Sequence, residues 1–265
     1  LYDCVLTIGA EKMYNEDRGL VMKSFSAGTD VEEMLERIAQ LKETERKRKE
    51  EEARKGGEKV EQEKAGGHSA FMDFYAAGAR RHMELYGSTQ RQLAVIAAKN
   101  HNNSTLNPLA QYTFPQTVEQ VLEDRVVSYP LTRAMCAPIG DGAAAAILCS
   151  EQFLNKHPSD RAVRIRASVL EGGTRTGEGD IAERACRKAY EIAGLGPEHI
   201  DVLEVHDATA FGELAQLESL GFCGKGEGGV FAESGATALN GKIPVTPILR
   251  LAVFQRSVVA PHPLA

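Results

Sequence analysis

Ile200-Asp201-Val202-Leu203-Glu204-Val205-His206-Asp207-Ala208 decides the architecture. Ile200 to Val205 reads as a strand, and the helix that follows carries Phe211, Leu214, Leu217 and Leu220 on one face. His206 therefore falls at the carboxy end of a strand just before a helix, where a side chain can emerge over a pocket in an α/β layer. Asp207 stands where it could orient His206, and its place before the helix predicts an N-cap. Upstream, Val163 to Val169 alternates apolar and polar residues, the period of a half-buried strand. Asp180 with Glu183 predicts a capped helix with a buried stripe of Ala182, Ala185, Ala189 and Ile192, ended by Gly194 and Pro197. Strand, helix, strand, helix in that order predicts a layered α/β domain.

Toward the amino terminus, Val5, Leu6 and Ile8 closed by Gly9 predict a buried strand. Val31, Met34, Leu35, Ile38 and Leu41 hold the spacing of one helix face, which stops at a run of mixed charge from about Lys42 to Lys64. Opposite charges three and four apart without an apolar face predict a solvated insertion, broken by Gly56-Gly57 and Gly66-Gly67. Phe71, Phe74, Tyr75, His82 and Leu85 share the next helical face, with Gly87 as its stop. Thr89 with Gln92 and Thr117 with Gln120 both hold the capping-box spacing, and Pro130 closes the second of these helices. The run of small residues Ala143 to Ala146 before Ile147 suits a strand packed very closely against a helix, and Glu151 to His157 reads as a brief helix. A domain boundary is expected near residue 155, giving domains 1–155, with the charged insertion at about 42–66, and 156–265.

The 265 residues, 43% hydrophobic, suffice for a sizeable core. A formal net charge of −6 argues against a domain that lives on phosphate backbones, so nucleic acid is not expected as a partner. No apolar run approaches the ~20 residues of a membrane helix, and no secretory pattern opens the chain, so the expected compartment is the cytoplasm. Cysteines at 4, 136, 149, 186 and 223 lack the spacing of a zinc site or disulfide framework and read as reduced thiols, mostly core. The glycines from Gly221 to Gly229 do not open a helix after a strand, no Gly-Lys-Ser/Thr phosphate loop exists, and metal binding lacks a ligand cluster.

Several strings resemble the thiolase family, in its sterol-carrier or lipid-transfer branch. Ile8-Gly9-Ala10-Glu11-Lys12-Met13 resembles the segment after the nucleophile helix. Lys99-Asn100-His101 with Ser104 and Asn107-Pro108 is similar to the loop-domain segment, and Pro138 to Ala145 to the closing strand of the first domain. The Ile200 to Ala208 stretch resembles the second-domain strand whose His-Asp pair replaces the Asn-Glu pair of classical thiolases. The resemblance implies an α/β thiolase-like layered fold: two related halves of mixed sheets covered by helices, incomplete in this chain, with a homodimer as the usual assembly. It implies carbon–carbon bond formation or cleavage beside an acyl-coenzyme A thioester, as in acetyl-CoA acyltransferases of lipid metabolism. The thioester would be the substrate, with no permanently bound cofactor and no metal. It also makes His206 the catalytic candidate and His101 the substrate-binding one.

The place of the family's nucleophilic cysteine falls before residue 1, and neither Cys4 nor Cys136 stands at a helix amino terminus that would lower a thiol pKa. Thr246-Pro247-Ile248-Leu249-Arg250 replaces the family's glycine-containing turn, and His262-Pro263 takes no catalytic role. Two expectations follow: a thiolase-family acyltransferase represented by a chain inactive alone, or a non-catalytic acyl-CoA- or lipid-binding or assembly subunit of the same fold.

Overall fold

The protein was studied as a computed structural model, which describes residues 2–27, 32, 35, 36, 39, 43, 46, 70–173, 180–246 and 258–261. Residues 12–66 form one unit, and residues 1–11 with 67–265 form the other. Within the first unit, α1 spans Arg18–Ala27. Of the helix expected over Val31 to Leu41, the described residues Glu32, Leu35, Glu36 and Ala39 are helical; its other residues and most of the charged insertion lie outside the described residues, although Arg46 and Glu43 form an ion pair at 2.8 Å.

In the second unit, helix α2 (Ala70–Tyr86) ends where Gly87 takes a φ of 73°, a left-handed conformation that costs glycine nothing. Its buried face matches the predicted one only in part, at His82 and the partly buried Tyr75. Ala76, Ala79 and His82 are buried, whereas Phe74 and Leu85 are turned to solvent. Small residues prevail because the ring of Phe211 presses on this helix: a Cβ on Gly78 would meet it at 2.8 Å.

Helix α3 (Gln90–Ser104) opens with the predicted capping box, in which Thr89 Oγ accepts from the Gln92 amide and the Gln92 side chain accepts from the Thr89 amide. Helix α4 (Val118–Glu123) repeats it with Thr117 and Gln120. It ends well before Pro130, which lies at the turn between the short strands β2 (Val126–Ser128) and β3 (Leu131–Thr132). A 3₁₀ turn follows at Arg133–Met135.

Strands β1 (Cys4–Glu11) and β4 (Gly142–Cys149) pair antiparallel over their full length. Both were expected to be covered, yet both are exposed along nearly every residue. Alternation and small residues set the pairing, but burial needs a second layer, which two strands alone do not provide. Helix α5 (Glu151–Lys156) is capped by Ser150. The predicted strand from Val163 to Val169 does not form: the segment has no ladder partner among the described residues and exposes Val163 and Ile165.

Asp180 caps helix α6 (Ile181–Ala193), and Gly194 ends it in the left-handed conformation, as expected. The alanine stripe is only half-buried and Ile192 is exposed, so the residue this helix buries is Cys186. Strand β5 (Ile200–Glu204) leads into helix α7 (Ala210–Ser219), followed by α8 (Gly228–Glu233). Strand β6 (Val258–Pro261) pairs antiparallel with β5.

Two hydrophobic clusters meet on α7. Ala210 and Leu214 pack with Leu93, Ile96 and Ala97 of α3 and with Leu131 and Met135. Leu217, with Leu220 just beyond the helix, packs with Leu203, Val205, Ile243 and Val245. Each fully buried leucine contributes about 2 kcal/mol by leaving water, so α7 is fixed from both sides and holds the end of β5 against α3.

Candidate active site

Because α7 is pinned to α3, residues more than a hundred positions apart converge on one buried polar cluster. Lys99 Nζ donates to Glu213 Oε1 at 2.6 Å and to the Val245 carbonyl at 2.9 Å. The Glu213 side chain has no exposed surface. Asn100 Nδ2 donates both to Asp207 Oδ2 and to Glu213 Oε2, each at 3.0 Å. One cation thus faces two carboxyl groups, and its short contact is with Glu213. Burial, with Glu213 alongside, pushes the Asp207 carboxyl well above the usual carboxylate range, an effect that Lys99 only partly offsets. Burial and the neighbouring Asp207 also raise the Tyr75 hydroxyl. The Asn100 Oδ1 atom is buried without a hydrogen-bond partner.

The predicted N-cap role of Asp207 is corrected here: the cap of α7 is Thr209, whose Oγ accepts from the Gly212 amide. Two residues of irregular backbone therefore separate the acid from the helix and free it to face inward. The main chain of His206 is clasped by Gln216, whose side-chain amide donates to the His206 carbonyl at 2.6 Å.

A cleft of about 100 Å³ opens beside the cluster, lined by Asn100 and His101 of α3, by Ala134 to Ala137, and by Asp207 and Ala210. Its Ala134–Ala137 lining is tied to the β5–α7 turn by the Ala137 amide, which donates to the Ala208 carbonyl at 3.0 Å, and by a bridge between Cys136 and Thr209. The volume suits a small acyl head, not a whole nucleotide-bearing thioester.

His101 lines this cleft, whereas the His206 residue is exposed and Asp207 takes the lining position next to it. Nε2 of His101 faces the Ala134 carbonyl at 3.2 Å. Only an N–H satisfies a carbonyl, so this contact assigns the proton to Nε2 and leaves Nδ1 as the acceptor in the neutral ring. Desolvation lowers the His101 pKa despite that hydrogen bond, which keeps the ring uncharged near neutral pH. The ring packs against both Tyr112 and Phe114, with centroids at 6.0 and 5.6 Å, and those two rings contact each other at 5.5 Å.

Cys136 also lines the cleft, but burial and Asp124 push its thiol up to about 12. All five cysteines are free, and of these only Cys186 is buried, fewer than expected. Among the described residues no group of His, Cys, Asp or Glu could hold a metal ion, and no helix is long and apolar enough to cross a membrane.

Asn100 and Asp207, central to the cluster, were not singled out as site residues from sequence. The one signal available was the pairing of Lys99-Asn100-His101 with the strand-end acid in a common family resemblance.

Residues 176–248, which carry β5, Asp207 and α7, match the family described as thiolase C-terminal domain-like. The protein is thus a thiolase-like chain of α/β class, and the more extended matches point to the sterol-carrier branch. It is 41% identical over 184 residues to an acetyl-CoA acetyltransferase of Methanothermobacter thermautotrophicus, covering 67% of this chain and 48% of the relative. It is 35% identical over 184 residues to sterol carrier protein 2 of Rattus norvegicus, covering 65% of this chain and 34% of that protein. Among solved structures, the Ltp2-ChsH2(DUF35) aldolase superposes with a TM-score of 0.60 at 25% identity, covering 67% of this chain and 48% of that chain. The chain spans about half the length of the first of these relatives and a third of the second.

Proposed function

We propose that this chain acts on acyl-coenzyme A thioesters, in carbon–carbon bond formation or cleavage of the kind found in lipid metabolism. His206 and His101 are its functional histidines. The observation that carries this reading is the cleft itself: the Asp207 carboxyl, its pKa raised by burial, an unpaired acceptor, Asn100 Oδ1, and a histidine whose pKa is lowered by burial meet around space for an acyl head. A carbonyl that develops negative charge is stabilised by donors fixed in advance in such a dry site. The similarity to an acetyl-CoA acetyltransferase and to an aldolase supports chemistry at a carbon beside a carbonyl. His206, exposed at the mouth of the same strand end, would meet the part of the substrate that stays outside. A soluble cytoplasmic homodimer with the thioester as its small-molecule partner completes the proposal.

A second reading, binding without chemistry, draws on Cys136. The thiol nearest the cleft is held protonated and is a poor nucleophile at neutral pH. Under either reading the chain by itself binds thioester without completing acyl transfer. Incubation with acetoacetyl-coenzyme A and free coenzyme A tests this: saturable binding with no thiolysis above background is expected. Turnover that survives replacement of all five cysteines would overturn the thiolase mechanism, and absence of binding would overturn the thioester assignment.

A further inference from the structure

Cys4 and Cys149 are far apart in sequence and face each other in the fold: they are register partners at one end of the antiparallel β1–β4 ladder. Partners in such a ladder turn their side chains to the same face of the sheet. The phase of the ladder is fixed one step earlier, where the Ser150 amide donates to the Asp3 carbonyl at 2.9 Å. Bonded and non-bonded pairs alternate along antiparallel strands. Cys4 and Cys149 therefore form a non-hydrogen-bonded pair, the kind whose Cα atoms stand about 4.5 Å apart and whose side chains come closest. That separation lies within the ~4.4–6.8 Å that a disulfide bridges. A second tie holds the strands at this end: Ser150 Oγ donates to Asp3 Oδ1 at 3.2 Å and accepts from the Phe153 amide at the start of α5. Both cysteines are exposed, and both thiols are free. No other two cysteines share a ladder register among the described residues.

We propose that Cys4 and Cys149 are an oxidative modification site, a facing pair of thiols that closes to an intramolecular disulfide at the expense of a low-molecular-weight disulfide such as oxidised glutathione. One cysteine, as its thiolate, attacks a glutathione sulfur: a protein–glutathione bond forms, the glutathione S–S bond breaks, and one glutathione leaves as its thiolate. The other cysteine thiolate then attacks the protein sulfur of that mixed disulfide and expels the second glutathione. Two protein sulfurs are oxidised, one glutathione disulfide is reduced to two thiols, and the two protons lost by the cysteines end on the two released glutathiones. Excess reduced glutathione runs both steps backwards, because exposed disulfides are the readily reduced kind. The other thiols are poorly placed for this exchange. Cys186 is buried, and burial pushes Cys136 and Cys223 up to about 12, so those two stay protonated at neutral pH. The pairing stands apart from the thioester reading and survives its failure.

The experiment takes the full chain, fully reduced and folded, incubates it with oxidised glutathione, blocks remaining thiols with iodoacetamide in denaturant and maps the peptides without reduction. A Cys4 peptide joined to a Cys149 peptide is expected as the main product, with Cys136, Cys186 and Cys223 alkylated. Mixed glutathione disulfides at Cys4 or Cys149 should make up less than about a tenth of the product, because the closing step is intramolecular. Excess reduced glutathione should return the pair to thiols. In Cys149→Ser the resolving thiol is gone, so Cys4 should accumulate as its mixed disulfide, and Cys4→Ser should do the same at Cys149. Lasting mixed disulfides at both positions of the unaltered chain would overturn the pairing. So would a bond from either cysteine to a third one, a bond formed only between two chains, or no reaction at all.

Discussion

Helix α3 with α7 and the β1–β4 ribbon are opposites in what they do with side chains. The helix pair buries leucines and then spends part of that protected volume on Lys99, Glu213, Asn100 and Asp207. The ribbon has a full set of ladder hydrogen bonds and still exposes Leu6, Ile8 and Ile147, at 60%, 70% and 69%. The difference teaches that hydrogen-bonded pairing alone shelters nothing. A polar site needs side chains closing over it from two directions, and in the described residues that happens where both clusters grip α7.

The contrast is broken most forcefully at Lys99. Lys99→Met leaves Glu213 buried without its cation, and a loss of about 3–5 kcal/mol in chemical denaturation is expected. Leu214→Ala follows, at about 2–5 kcal/mol, because it opens a cavity where α7 meets α3. The same measurement on Ile147→Thr in the ribbon should move stability by no more than about 0.5 kcal/mol, since its side chain is already in water. A ribbon change as costly as the helix change would mean that a covering layer exists in solution.

Asp207→Asn sharpens the comparison with the opposite sign. The folded carboxyl has a raised pKa, so the folded state holds its proton where the unfolded state has released it. The contribution of this group to stability is therefore fully present below about pH 4 and is lost as pH rises toward the folded value. Replacement by a neutral amide removes that cost: a gain on the order of 1 kcal/mol at pH 7 is expected, vanishing below about pH 4. A smaller effect separates the cysteines. With iodoacetamide at pH 8 the exposed Cys4 and Cys149 should label first, while Cys136 stays unmodified until the pH nears 12, as mass mapping of the folded protein would record.

What the sequence revealed and what it concealed divide along the range of the interaction. The caps at Thr89, Thr117 and Asp180 and the stop at Gly194 were legible because each is settled within four residues. The strands at Cys4–Glu11 and Gly142–Cys149 were legible as strands, but not as exposed ones, because burial depends on what lies above a sheet. Val163 to Val169 has the alternation of a strand and lacks a partner to pair with among the described residues. His101 was named through the family resemblance, and it lines the cleft. Asp207 was misread as a cap because Thr209, two residues on, is equally competent and won. The polar cluster was invisible for a simpler reason: Lys99 and Glu213 lie 114 positions apart, and nothing local to either reports the other.

The most direct test is a titration of the ¹⁵N-labelled chain with acetyl-coenzyme A, followed by amide chemical shifts. Saturable movement of the Asn100, His101, Tyr112 and Asp207 signals is predicted, with the Cys4–Glu11 strand unmoved. Saturable movement confined to other residues, or none at millimolar ligand, would contradict a thioester site between α3 and the end of β5.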